Sequence, residues 1–289
     1  TPSNQYNVDY SILGGSRIEP LLRAIRLGMS GAGMNVESVK GECNFGQHEI
    51  AFKYSDALTS CDNHVIYKNG AKEIAAASGY ALTFMAKPNQ KEGNSSHIHL
   101  SFRGLKDELV MADEKDKEHG LSDVGRSFIA GQIKHLRELS LLFAPNINSY
   151  KRYVPGSFAP TAIRWGRDNR TCALRLVGHG QSLRLENRVP GGDVNPYLAV
   201  AGIIAAGLDG VKNNLKLEPA YTTNAYDSDS PRVPATMLEA QTLWAGSAWV
   251  KEVFGSEVQD HYANMAQVEL DAYGKAVTDW ELFRNFERF

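Results

Sequence analysis

Cysteine is scarce in this chain. Three of its 289 residues are cysteine, Cys43, Cys61 and Cys172. An odd, scattered set excludes a disulfide-stapled scaffold or a zinc knuckle and fits a reducing cytoplasm. Long apolar runs are absent too. The longest, Tyr197 to Leu208, falls short of the roughly 18–20 residues a membrane helix needs, so no membrane partner is expected. Neither sign of charge dominates: Lys+Arg is 31, Asp+Glu is 33, and the formal net charge is -2. That balance excludes a polybasic nucleic-acid arm and an acidic disordered tail. The longest charged block, Asp113 to Glu118, alternates in sign and reads as a solvated loop or helix end. No charged-then-apolar leader opens the chain. A start at Thr1 rather than Met leads us to expect a processed, shortened or engineered chain. Neither GxxxxGK[ST] nor the protein-kinase motif set occurs, so any ATP site must be of another kind.

What is present is enough apolar residue, 43%, for a large core in one or two domains. Ser16-Arg17-Ile18-Glu19 has capping-box spacing, and Ile18, Leu21, Leu22, Ile25 and Met29 then share a helical face. Asn35 to Glu42 reads as a strand and Ser55 to Ala77 as a helix closed by Gly79. Tyr80 to Lys87, ended by Pro88, and Ser96 to Phe102 read as two strands that could form a long-looped hairpin. Ser122 to Phe143 reads as one helix, and Ala159 to Arg188 as three short strands broken at 166–170 and 178–181. Asn195-Pro196 caps a helix, Tyr197 to Leu208, apolar nearly all round and hence buried. Residues 213–234 read as a surface excursion and 235–288 as two more helices. Strands clustered between helices predict an α+β fold.

Three clusters carry chemistry. In Glu42-Cys43-Asn44-Phe45-Gly46-Gln47-His48-Glu49, two carboxylates stand an odd number of residues apart, so a straight strand would oppose them. A turn at Gly46 could bring them to one side, where they suit Mg²⁺ or Mn²⁺. The alternative is two exposed loop glutamates. In His97-Ile98-His99-Leu100-Ser101-Phe102, period two puts both imidazoles and the hydroxyl on one face over an apolar backing. Metal or phosphate contact and a purely structural role are equally open. The third cluster is Arg152, Arg170, Arg175 and the alternating Arg184, Glu186, Arg188. It could be a salt-bridge ladder, but arginines among packed leucines need anions, and guanidinium forks suit carboxylate and phosphate. Together the clusters carry the equipment of metal-assisted phosphoryl transfer.

Gly41-Glu42 with Gly46-Gln47-His48-Glu49, His97-x-His99-x-Ser101, Asn148-Ser149-Tyr150-Lys151-Arg152-x-x-Pro155-Gly156, Asn169-Arg170 with Arg175, and Arg184-x-Glu186-x-Arg188 with Asn195-Pro196-Tyr197 occur in this order. They resemble the catalytic domain of class I glutamine synthetases, over nearly all of residues 1–289. The resemblance implies a curved, largely antiparallel sheet lined by active-site residues and packed on helices. It implies metal ligands Glu42, Glu49, His97 and Glu186, ATP-facing residues Tyr54, His99, Ser101, Arg175 and Arg184, and glutamate-binding Gly93, Arg152 and Arg188. Arg170 and Arg175 would assist phosphoryl transfer. The implied partners are glutamate, ATP and an amine, in a cytoplasmic, ring-stacked homo-oligomer, a dodecamer at full length. Tyr226 matches a position nucleotidylated in some members, although a plain loop tyrosine is the safer reading.

The departures shift the expected acceptor. Phe158 stands where ammonium-using members carry a glutamate that binds NH₄⁺ and takes its proton, which a phenyl ring cannot do. Glu92 replaces an asparagine near the glutamate. Ser157-Phe158-Ala159-Pro160, Trp165 to Arg170 and Pro190-Gly191-Gly192-Asp193 are similar to the branch that joins glutamate to polyamines or other amines. The expectation is therefore a glutamate–amine ligase, with Phe158 and Glu92 at the amine site. The alternatives are an ordinary ammonium-using synthetase and a non-catalytic relative. A metal hydrolase fits less well, since His179 is the only later histidine in a strand-rich region. The family's Glu-x-Glu strand and N-terminal β-grasp domain are expected to lie outside this chain. These residues alone would then bind metal weakly and turn over little.

Overall fold

The computed structural model describes residues 2–289, so the reading of Thr1 lies outside it. Helix α1 runs Ile12–Gly31, capped by Ser11, whose hydroxyl accepts from the Gly14 N–H. It starts a turn before the expected capping box: the Ser16 hydroxyl bonds back to Ile12 O inside the helix. Glu19 instead pairs with Arg23 and Arg26 on the helix face. Strands β1 (Val36–Gly41) and β2 (His48–Phe52) form an antiparallel hairpin. Gly46, at φ +70, makes the turn, a conformation an L side chain resists. Helix α2 (Ala57–Ala77), capped by Asp56, packs beside α1. Ile18, Leu22, Ile25, Met29, Ala71 and Ala75 are buried between these elements as a first core.

Residues 80–87 are not a strand. Strand β3 (Ile98–Leu100) therefore has no hairpin partner there and pairs antiparallel with the distant β6. Helix α3 (Asp123–His135) stops before the expected end. The chain tightens through residues 136–139 before α4 (Ser140–Phe143), and a short α5 (Ile147–Tyr150) follows.

Strands β4 (Ala162–Arg167), β5 (Cys172–Val177) and β6 (Arg184–Asn187) fall where three short strands were expected. With β3 they make a four-stranded sheet in the order β3-β6-β5-β4. Two of its pairings are antiparallel, and β4–β5 is parallel. The fold is mixed α+β.

Helix α6 (Pro196–Lys212) is capped by Asn195. It is buried on one face rather than all round: Ala199, Ile203 and Ala206 are inside, while Leu208 is exposed. Helices α3 and α6 cross so closely that a Cβ at Gly131 would stand 2.1 Å from Ala206 O. The excursion at 213–234 is pinned rather than free, with Ala225 and Val233 buried and Ala162 bridged to Arg232. Four helices, not two, fill the C-terminal part: α7 (Met237–Gly246), α8 (Ala248–Phe254), α9 (Ser256–Gly274) and α10 (Asp279–Asn285). Ser247, Gly255 and the non-helical residues 275–278 break the run, and Gly255 sits at φ +83. A second, larger core holds Trp165, Leu174, Leu176, Leu185, Ile203 and Trp244. Among the described residues no helix is long and apolar enough to cross a membrane.

Candidate active site

Register builds the site. His99 lies opposite Glu186, and Glu186 opposite Arg175, in one row across β3, β6 and β5. The adjacent row, Leu100, Leu185 and Leu176, belongs to the core and its apolar margin. Alternation at period two thus puts a polar strip on one face and the hydrophobic backing on the other.

Glu186 is 3% exposed and at the centre of this strip. Its Oε1 lies 3.0 Å from His97 Nδ1 and accepts from Arg188 at 2.8 Å; its Oε2 accepts from Arg175 at 3.1 Å. Burial alone would raise its pKa. The His97 bond and the charges around it outweigh burial and hold the carboxyl well below the usual range. Burial pushes His97 and His99 down, towards neutral rings. Since a carboxylate only accepts, His97 Nδ1 carries the proton. His97 Nε2 is then a buried atom without a partner. A histidine oriented by a carboxylate and offering its other nitrogen is a common way to hold a metal.

The arginines converge on the same region. Arg188 is buried, and its second nitrogen donates to Phe158 O at 3.3 Å. Phe158 itself is exposed, with a left-handed backbone at φ +60. Arg175 is held by Asp168 as well as Glu186, and those two carboxylates outweigh burial to raise its pKa. Arg170 is exposed, yet near enough for its charge to disfavour that of Arg188. Arg184 donates to His99 Nδ1 at 3.2 Å.

Arg152 is 1% exposed. It donates to Ser95 Oγ at 2.9 Å and to Val189 O, its Nε has no partner, and it lies over the Tyr153 ring. Among the described residues no carboxylate forms an ion pair with it, although the unpartnered Asp193 Oδ1 lies on the same side of Gly191 as its Nε. A buried guanidinium without an anion is costly, so this pocket suits an anionic ligand. Gly93 abuts it: a Cβ there would stand 2.5 Å from Ala86 O and 2.6 Å from Arg152 Cγ.

The hairpin brings Glu42 and Glu49 to one side, as a turn at Gly46 allows. Both carboxylates face the Lys40 ammonium, at 3.4 Å for Glu49. A lysine cation thus stands between the two carboxylates, whose hard oxygen donors are of the kind that suit Mg²⁺ or Mn²⁺. Glu42 also lies with Asp9 and Cys43. The hairpin turn docks on the loop before His97: Asn44 donates to Glu92 O, and Gln47 donates to Gly93 O at 3.0 Å and to Asn94 Oδ1 at 2.7 Å.

The other expected residues are not buried with Glu186. Tyr54 is 86% exposed, and Ser101 is exposed beyond the end of β3. Tyr226 is half-buried, and its hydroxyl donates to Ala159 O at 2.9 Å. It anchors the 158–160 loop rather than presenting a free hydroxyl. His179 sits in a turn against Arg167. Sequence reasoning overlooked Lys40 and Asp168. Lys40 precedes Glu42 by two, which on a strand means the same face, and Asp168 sits in the turn that opens β5.

This chain belongs to the glutamine synthetase catalytic-domain family, whose match spans residues 2–285. It is 63% identical over 288 residues to a gamma-glutamylethanolamide synthetase of Streptomyces coelicolor, covering 100% of this chain and 62% of that protein. It is 39% identical over 281 residues to a glutamate–isopropylamine ligase of a Pseudomonas species, covering 95% and 61%. The structure of GmaS with ADP superposes with a TM-score of 0.91 at 29% identity, over 99% of this chain and 67% of that one. The chain spans about three fifths of the length of the two relatives.

Proposed function

We propose that this chain is the catalytic part of an ATP-dependent ligase that joins the γ-carboxylate of glutamate to a primary amine. The observation that carries the reading is Arg152, a buried cation that forms no ion pair among the described residues, beside a strip of arginines and histidines centred on Glu186. The similar relatives named for ethanolamide and isopropylamine favour a small monoamine over a polyamine.

In this reading Arg152 and Arg188 hold the carboxylates of glutamate, and Gly93, whose missing side chain lets Ala86 O and the Arg152 stem pack close, offers its backbone to the ligand. Glu42, Glu49, His97 and Glu186 would hold Mg²⁺ or Mn²⁺, which supplies charge neutralisation on the ATP phosphates. His99, Ser101, Arg184 and Tyr54 face the nucleotide. Arg170 and Arg175 stabilise the γ-phosphoryl group as it passes to the glutamate oxygen and ADP leaves. The amine nitrogen then attacks the acyl carbon from the Phe158 side. A C–N bond forms, the C–O bond to phosphate breaks, and the proton lost by the nitrogen leaves on the departing phosphate. Glu92, near Lys87 and Cys43, adds negative charge towards the amine. We further propose one catalytic domain over 1–289, with the Glu-x-Glu strand and β-grasp domain outside it, in a cytoplasmic ring-type homo-oligomer.

The test uses the whole protein and measures phosphate release from ATP and glutamate with ethanolamine, isopropylamine, putrescine, spermidine or ammonium. A small primary amine should be the best acceptor. Ammonium as the clear best would overturn the Phe158 argument, and no glutamate-dependent phosphate release would overturn the ligase reading.

A further inference from the structure

Arg152 needs a fixed place if it is to receive a carboxylate. Its guanidinium has two direct partners, the Ser95 hydroxyl and the Val189 carbonyl, and its backbone N–H donates to Ser149 O in the turn that precedes it. Arg152 comes two residues after α5, a single turn of helix that cannot hold itself in place.

Two side chains tie that turn down. Asp193 Oδ2 accepts from the Ser149 hydroxyl at 2.6 Å and from Asn146 Nδ2 at 2.8 Å. On the other side, Asn148 grips one residue twice. Its Oδ1 accepts from the Lys87 N–H at 2.8 Å, and its Nδ2 donates to Lys87 O at 2.9 Å. A side-chain amide that saturates both backbone groups of a residue outside any strand does the work of a sheet rung.

The grip reaches the other wall of the pocket. Ala86, next to Lys87, is fully buried, and its carbonyl accepts from the Asn94 N–H at 2.8 Å. That bond holds the loop on which Gly93 abuts both Ala86 O and the Arg152 stem. One amide therefore ties the segment behind Gly93 to the helix before Arg152.

We propose that Asn148 is a positioning residue for the glutamate pocket: its paired hydrogen bonds to the Lys87 backbone set the separation between Gly93 and Arg152. It touches no substrate and acts through these two residues. The inference rests on their assignment to glutamate binding.

The test is the glutamate and ATP dependence of phosphate release by the whole protein, with calorimetric glutamate binding alongside. Asn148→Ala removes both bonds. Asn148→Asp keeps the acceptor for Lys87 N–H, loses the donor, and guards against a variant that fails to fold. We expect KM for glutamate to rise about tenfold in Asn148→Ala and less in Asn148→Asp, with KM for ATP within about twofold of wild type. Equal shifts in both KM values would overturn the proposal as mere loss of structure, and an unchanged glutamate KM would overturn it outright. If the wild-type protein bound no glutamate, the assignment of the pocket itself would fail, an outcome distinct from wild-type binding that both variants retain.

Discussion

Glu186 shows how one residue can organise a site. It is buried, ionised and shared among His97, Arg175 and Arg188. Removing one partner of such a group strands the others in low dielectric. Glu186→Gln should therefore cost about 3–5 kcal/mol of stability, read by chemical denaturation. A loss below about 1 kcal/mol would mean that solvent reaches the cluster. Lys40 offers the opposite case. Its ammonium competes with any metal for Glu42 and Glu49, so Lys40→Met should tighten Mn²⁺ binding about two- to tenfold, read by the paramagnetic signal of free Mn²⁺. Weaker binding would show that the lysine supports the metal instead of displacing it. Much of this cluster was legible in sequence, because alternation on a strand assigns faces directly: His97, His99, Glu186 and Arg188 were all placed so. Tyr54 was not, because an aromatic two residues past a strand has no periodic constraint. Asn148 stood in a quoted motif without a role, because its partner, Lys87, lies 61 residues away.

Elements were legible where local rules act alone and illegible where distant partners decide. Helices α1, α2 and α6 were found, α1 from its periodic face, α2 from its closing glycine and α6 from its Asn-Pro cap, although the α1 cap was placed a turn late and α6 was read as apolar all round. Residues 80–87 alternate like a strand, but no neighbouring edge receives them, and β3 pairs with β6 instead. The C-terminal run was divided by Ser247 and Gly255, weak breakers that become boundaries only against the core. Helix contacts also set a tolerance. Because a Cβ at Gly131 meets backbone atoms of α6, which cannot rotate away, Gly131→Ala should cost about 1–3 kcal/mol or more. An unchanged melting temperature would show that α3 slides freely on α6. Helix α2 adds a pH dependence. Burial, helped by Lys68, pushes His64 down from 6.5 to about 4. Between those values the unfolded chain binds the proton and the folded one does not, so stability is full above 6.5 and falls as pH drops towards 4. His64→Leu should thus gain on wild type as pH is lowered from 7 to 5. A constant stability difference across that range would show that His64 is solvated in the native state.

At the scale of the molecule, the candidate residues lie on two sides of a seam. One core is built from α1, α2, β1 and β2, the other from the four-stranded sheet and the later helices. Glu42 and Glu49 belong to the first, His97, Glu186 and the arginines to the second. Polar bridges cross between them. Asn44 and Gln47 bond the 89–94 loop, and Lys68 donates to Gly192 O at 2.8 Å. No sequence pattern announces such a seam, since its partners lie tens of residues apart and neither side is periodic. Its consequence is that the carboxylate pair and the arginine strip can be uncoupled without unfolding either core. Gln47→Ala removes two bonds to the loop, each worth about 1 kcal/mol net, and leaves both apolar interiors intact. Hydrogen exchange should then speed up in β1, β2 and residues 89–94 by about tenfold or more, while the β5 and β6 amides stay protected. Uniform acceleration through both sheets would mean that the two cores unfold as one unit and that the seam has no separate mechanical role.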